Sequence, residues 1–247
     1  MRLILAAIPL LLAGCAALSP VPETHGIDAV LIGEQHDAEA HPRLQERWVS
    51  TLAERGQLGA VALEMAERGT STAGLPPTAS DEQVQQALKW NKGTGWPWGR
   101  YGPAIMAAVR AGVPVVGGNL PREEMRQAMK DETLDVLLPG PALKAQQQAI
   151  RRGHCDMLPE TQVQPMTRVQ IARDISMART ISSSAAPGKT VLLLAGSGHV
   201  LPDTGVPQHL PTTLVARSVL LPAQDTGKDY CEDFRKEMEK KRPQTAT

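Results

Sequence analysis

Val30-Leu31-Ile32-Gly33-Glu34-Gln35-His36-Asp37 is the stretch from which the fold can be read. An apolar run stops at a glycine, and Glu34, His36 and Asp37 follow at once. In an open α/β protein, ligands bind beyond the carboxyl ends of the parallel strands. With residues 27–32 as a strand, Glu34 and His36 stand at such an end. The spacing returns near the other end of the chain, where Val191 to Ala195 runs into Gly196-Ser197-Gly198-His199. The bare Gly-x-x-His pattern is weak in a chain with 21 Gly and 6 His. Two copies, each directly after an apolar run, say more. The plainer alternative is that Gly33 and Gly196 supply tight turns and the histidines are incidental.

Working outward, residues 38–55 show helical periodicity through Leu44, Trp48 and Leu52, and Gly56 suits the position after the helix. Leu58 to Leu63 is a second apolar run, ending in Glu64-Met65. Strand, helix and strand with short connections predict parallel strands, which puts Glu64 at the same sheet edge as Glu34 and His36. Residues 69–80 read as a surface excursion. Ser80-Asp81-Glu82-Gln83 is a capping box opening a helix to about Trp90. Residues 91–102 read as an irregular loop, and Pro103 to Gly112 as a helix. Val113 to Val116 is a third strand, followed by a helix from Pro121 to about Lys130. Residues 133–152 are helical in pattern apart from Pro139-Gly140-Pro141. The longest helical candidate is 160–184, where Arg173 interrupts the stripe Met166, Val169, Met177, Ile181, with Asp174 beside it. An Arg or Asp facing a core needs a partner; otherwise the polar face simply wraps round. Thr190 to Ala195 and Leu214 to Leu220 are the last two strands. Glu232 to Arg242 is a solvated helix or a disordered tail. The pattern is α/β, with a mostly parallel central sheet flanked by helices.

At 247 residues the chain can bury one large core, or one core plus a small subdomain. Lys+Arg and Asp+Glu balance at 26 each, so charge offers no argument for nucleic acid, and none is expected as a partner. At the N-terminus, Arg2 and the apolar Leu3 to Leu12 are too short to span a membrane. They end in Leu12-Ala13-Gly14-Cys15, which resembles a bacterial lipoprotein cleavage box. That resemblance implies a signal peptide over residues 1–14, lipidation of Cys15, a linker over 15–26 and a domain tethered to a membrane without spanning it. An ordinary secretory signal is the alternative. Cys155 and Cys231 are either bonded, which would tie the C-terminal tail to the loop after His154, or two free thiols. Neither has zinc-site spacing.

Glu34, His36, Glu64 and His199 converge if their strands are neighbours. His36, Glu64 and His199 would then form a divalent-metal set with a position open for water. Glu34 is a second carboxylate able to act as general base in metal-dependent hydrolysis. The alternative is a closed pocket in which polar strand ends bond one another. A second candidate site is aromatic. Trp90, Trp96, Trp98 and Tyr101 are four of seven aromatic residues, with Lys92 and Arg100 interleaved. Flat rings beside cations suit a flat ligand with carboxylates, such as haem with its propionates, or a partner interface. They also suit a satellite core.

Gly33-Glu34-Gln35-His36-Asp37, Ala62-Leu63-Glu64-Met65, Trp96 through Pro103, Gly118-Asn119-Leu120-Pro121-Arg122, His154-Cys155, Gln170 through Asp174 and Gly196-Ser197-Gly198-His199 occur in this order. Together they resemble the ChaN family of iron-regulated haem-binding lipoproteins, within the Tiki and erythromycin-esterase-like superfamily. The resemblance covers most of residues 27–200 and rests on the order of short motifs. It implies a ChaN-like α/β domain over 27–222, with a helical subdomain about 80–112 and 133–184, and a charged tail over 223–247. It implies a haem cofactor (iron protoporphyrin IX), a role in haem or iron acquisition or storage, and a lipid-anchored place in the bacterial cell envelope, at the outer membrane. It also implies a haem-linked homodimer and an outer-membrane haem receptor as partners. On the family pattern a tyrosine ligates the iron while His and Lys hold propionates. Tyr101 is the matching candidate here, with Lys92, Arg100 and His154 around the haem and Tyr230 and His209 in reserve. The superfamily's hydrolases use Gly-x-x-His and Glu motifs, so a divalent-metal-dependent hydrolase working through Glu34, His36, Glu64 and His199 is the alternative.

Overall fold

The computed structural model describes residues 20–90 and 95–241. Cys15 and Lys92 lie outside the described residues. Five strands form one sheet: β1 (Ala29–Glu34), β2 (Leu58–Glu67), β3 (Val115–Asn119), β4 (Thr190–Gly196) and β5 (Ala216–Leu220). Their order is β3-β2-β4-β1-β5, and every pairing is parallel. The α/β reading from the apolar runs holds. β1 and β2 are parallel as expected, but β4 is inserted between them. In register, Glu34 faces Gly196 across β1 and β4, and Leu63 faces Leu194 across β2 and β4.

A parallel sheet must be covered on both faces, and strand alternation decides what covers each. Val30, Ile32, Val61, Leu63, Leu192 and Leu194 point to one face. There they meet α1 (His41–Glu54), through Trp48, Val49 and Leu52, and α3 (Trp98–Arg110), through Ile105 and Ala108. The opposite face is smaller: Ala29, Ala60, Ala62 and Ala195 with Leu31 and Leu193. It receives α6 (Glu160–Ser184) through Met177, Ala178 and Ile181. Each of the large side chains contributes about 1.5–3 kcal/mol through burial. A third cluster joins α4 (Met125–Ala128), a 3₁₀ segment at Glu132–Val136, α5 (Gly140–Gly153) and α6 around Leu120, Leu134, Leu138 and Ile171.

Local differences from the sequence reading have local causes. The helix expected from Pro103 starts at Trp98, after Pro97. Pro103 gives up one backbone bond inside it, and Tyr101 is therefore on a helix and not in a loop. The segment after Pro121 yields only the single turn α4. α2 (Asp81–Ala87) has the full capping box at Ser80 and Gln83. The tail is helical, α7 (Tyr230–Lys241), and Cys155 is bonded to Cys231, which settles that choice.

The topology leaves one natural crevice. From β1 the chain runs through α1 to β2 on one side of β1. From β4 it runs to β5 on the other, by way of 3₁₀ turns at Ser197–Val200 and Val206–His209 on the α6 face. Adjacent strands whose connections depart in opposite directions open a crevice beyond their carboxyl ends. Glu34 and Gly196 sit at its lip.

Candidate functional site at the carboxyl end of the sheet

Glu34 ends β1 and is buried. Its Oε2 accepts a hydrogen bond from Gln45 Nε2 at 2.5 Å, and its Oε1 accepts one from the Tyr101 hydroxyl at 2.7 Å. The same Oε1 lies 2.7 Å from His36 Nδ1. Two residues past the strand, His36 turns back over the crevice, and its Nε2 faces Glu64 Oε2 at 3.6 Å. Its ring packs against Trp96, centroids 4.7 Å apart. The side chain is 36% exposed, against 0% for Glu34, 3% for Glu64 and 5% for His199.

His199 repeats this arrangement from the other side. Its Nδ1 is 2.5 Å from Asp174 Oδ1, and its Nε2 faces Glu64 Oε1 at 3.4 Å. Glu64 thus stands between two imidazoles, each backed at Nδ1 by a buried carboxylate. Arg173 Nη2 donates to Glu64 Oε1 at 2.5 Å, and the Gly196 N–H donates to Oε2 at 2.6 Å. Arg173 also donates to Asn119 Oδ1. The Arg173-Asp174 pair of the long helix therefore faces in, with partners for both.

The two glycines act through close approach and not as turns, since neither has a positive φ. A Cβ on Gly196 would lie 2.6 Å from His36 Nε2, so any side chain there would evict the imidazole. A Cβ on Gly33 would collide with Val200.

Electrostatics follow from this packing. Burial pushes the Glu64 carboxyl up, but His199, Arg173 and His36 outweigh it and hold it well below the usual carboxylate range. Burial lowers the His199 imidazolium's pKa, and Glu64 and Asp174 raise it by more, to about 9. Burial raises Asp174. The Tyr101 phenol is pushed far up, by burial first and then by the adjacent Glu34 charge.

This chemistry tests the candidate roles. Glu34, His36, Glu64 and His199 do converge, with the His36 and His199 imidazoles facing the two oxygens of Glu64. In this arrangement Arg173 and the Gly196 N–H take the Glu64 oxygens, and Glu64 and Asp174 favour the protonated form of the His199 imidazole. Among the described residues no group of three or more His, Cys, Asp or Glu is arranged to hold a metal ion.

The aromatic loop is also redistributed. Tyr101 is 1% exposed, and its hydroxyl is committed to Glu34. To meet an iron, this buried phenol would have to give up its hydrogen bond to Glu34. Arg100 donates to the Ala38 carbonyl at 2.5 Å and pins the loop after β1. His154 bonds the Ile150 carbonyl through Nδ1 and packs on Phe234, beside the disulfide. Trp90 is core and bonds the Trp96 carbonyl, and Trp98 donates to Asp81.

Next to the cluster, beyond β2 and β3, opens a cavity of about 520 Å³. Met65, Leu88, Trp96, Leu120 and Met125 supply apolar walls, and Lys89, Arg122 and Arg173 supply cations. Its size lies within the usual range for small-molecule sites, about 300–1,000 Å³. Sequence reasoning missed Lys89 and Gln45, and it quoted Arg122 only as the end of the Gly118-to-Arg122 motif, with no role. Gln45 left a signal, as a polar residue on the buried stripe of α1 between His41 and Trp48.

A family model described as "Haem-binding uptake, Tiki superfamily, ChaN" matches residues 21–210. A comparison with curated proteins finds no match. Among solved structures, ChaN of Campylobacter jejuni with cofacially bound haem superposes with a TM-score of 0.66. It is 23% identical, over 81% of this chain and 83% of that one. The type III effector HopBA1 has a TM-score of 0.42 and 16% identity, over 82% and 79%.

Proposed function

The chain belongs to the ChaN family of haem-binding uptake proteins in the Tiki superfamily, and on that premise we propose that it binds haem at the carboxyl end of its sheet. The family match over residues 21–210 carries this reading. The cavity beside Trp96 supports it, because apolar walls with cations suit a flat ring bearing carboxylates.

The proposal extends to a lipid-anchored protein of the bacterial cell envelope, at the outer membrane, serving haem or iron acquisition or storage. Leu12-Ala13-Gly14-Cys15 supports the anchor. Lipid attached at Cys15 would tether the domain to the membrane surface, and an outer-membrane haem receptor is the partner proposed with it. Cofacial haem, as described for the C. jejuni protein, would bring two copies of this chain together, so a haem-linked homodimer is part of the proposal. Among the described residues no observation favours the divalent-metal hydrolase alternative.

Titration of the purified protein with ferric haem tests the reading. Saturable binding with a Soret band distinct from free haem, and a rise in mass toward a dimer, are expected. Absence of saturable binding would remove the function. Mass spectrometry finding unmodified Cys15 in membrane fractions would remove the anchor.

A further inference from the structure

We propose that the cavity beside Trp96 is a seat for the carboxylate edge of a haem, with Lys89 and Arg122 as the two propionate partners. This rests on the haem reading and adds to it the recognising residues. Three observations point to this seat.

The first is that the cations are uncommitted. Of the three in the lining, Arg173 is spent on Glu64 and Asn119. Lys89 and Arg122 are exposed, and among the described residues neither side chain has an ion-pair or hydrogen-bond partner. Glu67, the acidic residue of the lining, has a carboxylate oxygen accepting the Arg122 backbone N–H at 3.1 Å.

The second is the backbone at Lys89. It closes α2 with φ of 51°, in the left-handed region. Glycine is the residue that suits such a helix end, and a side chain there is strained. Holding a lysine in this conformation places an ammonium on the cavity wall. Strain of this kind clusters at ligand-binding sites.

The third is the division of the walls. The cations belong to the segments after α2 and β3, while Met65, Leu88, Leu120 and Trp96 make the remainder apolar. A ligand that satisfies both parts has a flat apolar body with two carboxylates at one edge. A fork-shaped guanidinium matches a carboxylate geometrically. A neutral porphyrin leaves the cations without partners.

The test compares ferric haem affinity of the wild type with the double variant Lys89→Glu, Arg122→Glu and with Trp96→Leu. Both charged residues are exposed, so the fold should survive their reversal. Reversing Arg55 and Arg110, at the opposite end of the sheet, controls for net charge. The seat predicts at least a tenfold rise in Kd for the double variant and a weaker rise for Trp96→Leu, with no change in the control. It also predicts that protoporphyrin dimethyl ester binds the wild type at least tenfold more weakly than protoporphyrin. Wild-type affinity in the double variant, or equal binding of the ester and the diacid, would overturn the seat while leaving haem binding intact. A wild type that binds no haem would instead overturn the functional reading on which it rests.

Discussion

Glu64 is where most of this site's energetics meet. Arg173, His199, His36 and the Gly196 N–H all converge on it. Glu64→Gln removes the charge and leaves an imidazolium and a guanidinium buried without it, so a loss of about 3–5 kcal/mol is expected in denaturant unfolding. The cluster also sets a pH window. His199 is raised from 6.5 to about 9, so its contribution is complete below pH 6.5 and is lost as pH rises through 9. Glu64 is lowered from 4.5, so its contribution is complete above pH 4.5 and falls away in stronger acid. Asp174, raised by burial, works against both on the neutral side. Stability followed by thermal melting should therefore be greatest at mildly acid pH and decline from pH 6.5 to 9. In Glu64→Gln the alkaline decline should flatten, because the charge that raises His199 is gone. Tyr101 gives the complementary case. Tyr101→Phe keeps the ring and removes a donor to a buried carboxylate, at a cost of about 1.5–3 kcal/mol. Ferric haem affinity and spectrum should stay unchanged in that variant; a shifted Soret band would make Tyr101 an iron ligand after all.

At the scale of elements, the C-terminal segment closes over the start of the site. Gln35 and Gln224 exchange hydrogen bonds, His41 Nε2 lies 3.0 Å from the Pro222 carbonyl, and Lys228 and Tyr230 both engage Asp37. The disulfide then fastens the start of α7 to the loop between α5 and α6. Tyr230, held in reserve as an iron ligand, is used here as a strap residue. A crosslink across 76 positions stabilises by restricting the unfolded chain, by about 4–5 kcal/mol on the chain-entropy model. Cys155→Ser with Cys231→Ser should lower the melting temperature and make the tail the first segment to exchange amide hydrogens. An unchanged melting temperature would mean that the strap's hydrogen bonds hold it without the bond.

What the sequence made legible follows from these two scales. Period and punctuation revealed β1, β2, β4, α1 and α6, because each carries a buried stripe and a clear stop. The convergence of Glu34, His36, Glu64 and His199 was legible too, since strand ends in a parallel sheet share one edge. The protonation of His199 and the commitment of Tyr101 to Glu34 were not. Both depend on which partner lies within about 3.5 Å, which spacing does not encode. The meeting of Lys89 and Arg122 at one cavity was equally hidden, although the Gly118-to-Arg122 motif was visible, since the cavity is assembled from loops distant in sequence.

The whole molecule is a doubly covered parallel sheet whose carboxyl end holds a polar cluster and, beside it, an open apolar cavity with cations. The cluster positions the loops, and the cavity receives the ligand. Hydrogen exchange of the intact protein with and without ferric haem tests this division most directly. The account predicts slowed exchange in the segments bearing Leu88 to Trp90 and Asn119 to Met125, with the 222–241 tail unaffected in the monomer. Slowed exchange confined to the tail, or no change anywhere at saturating haem, would contradict it.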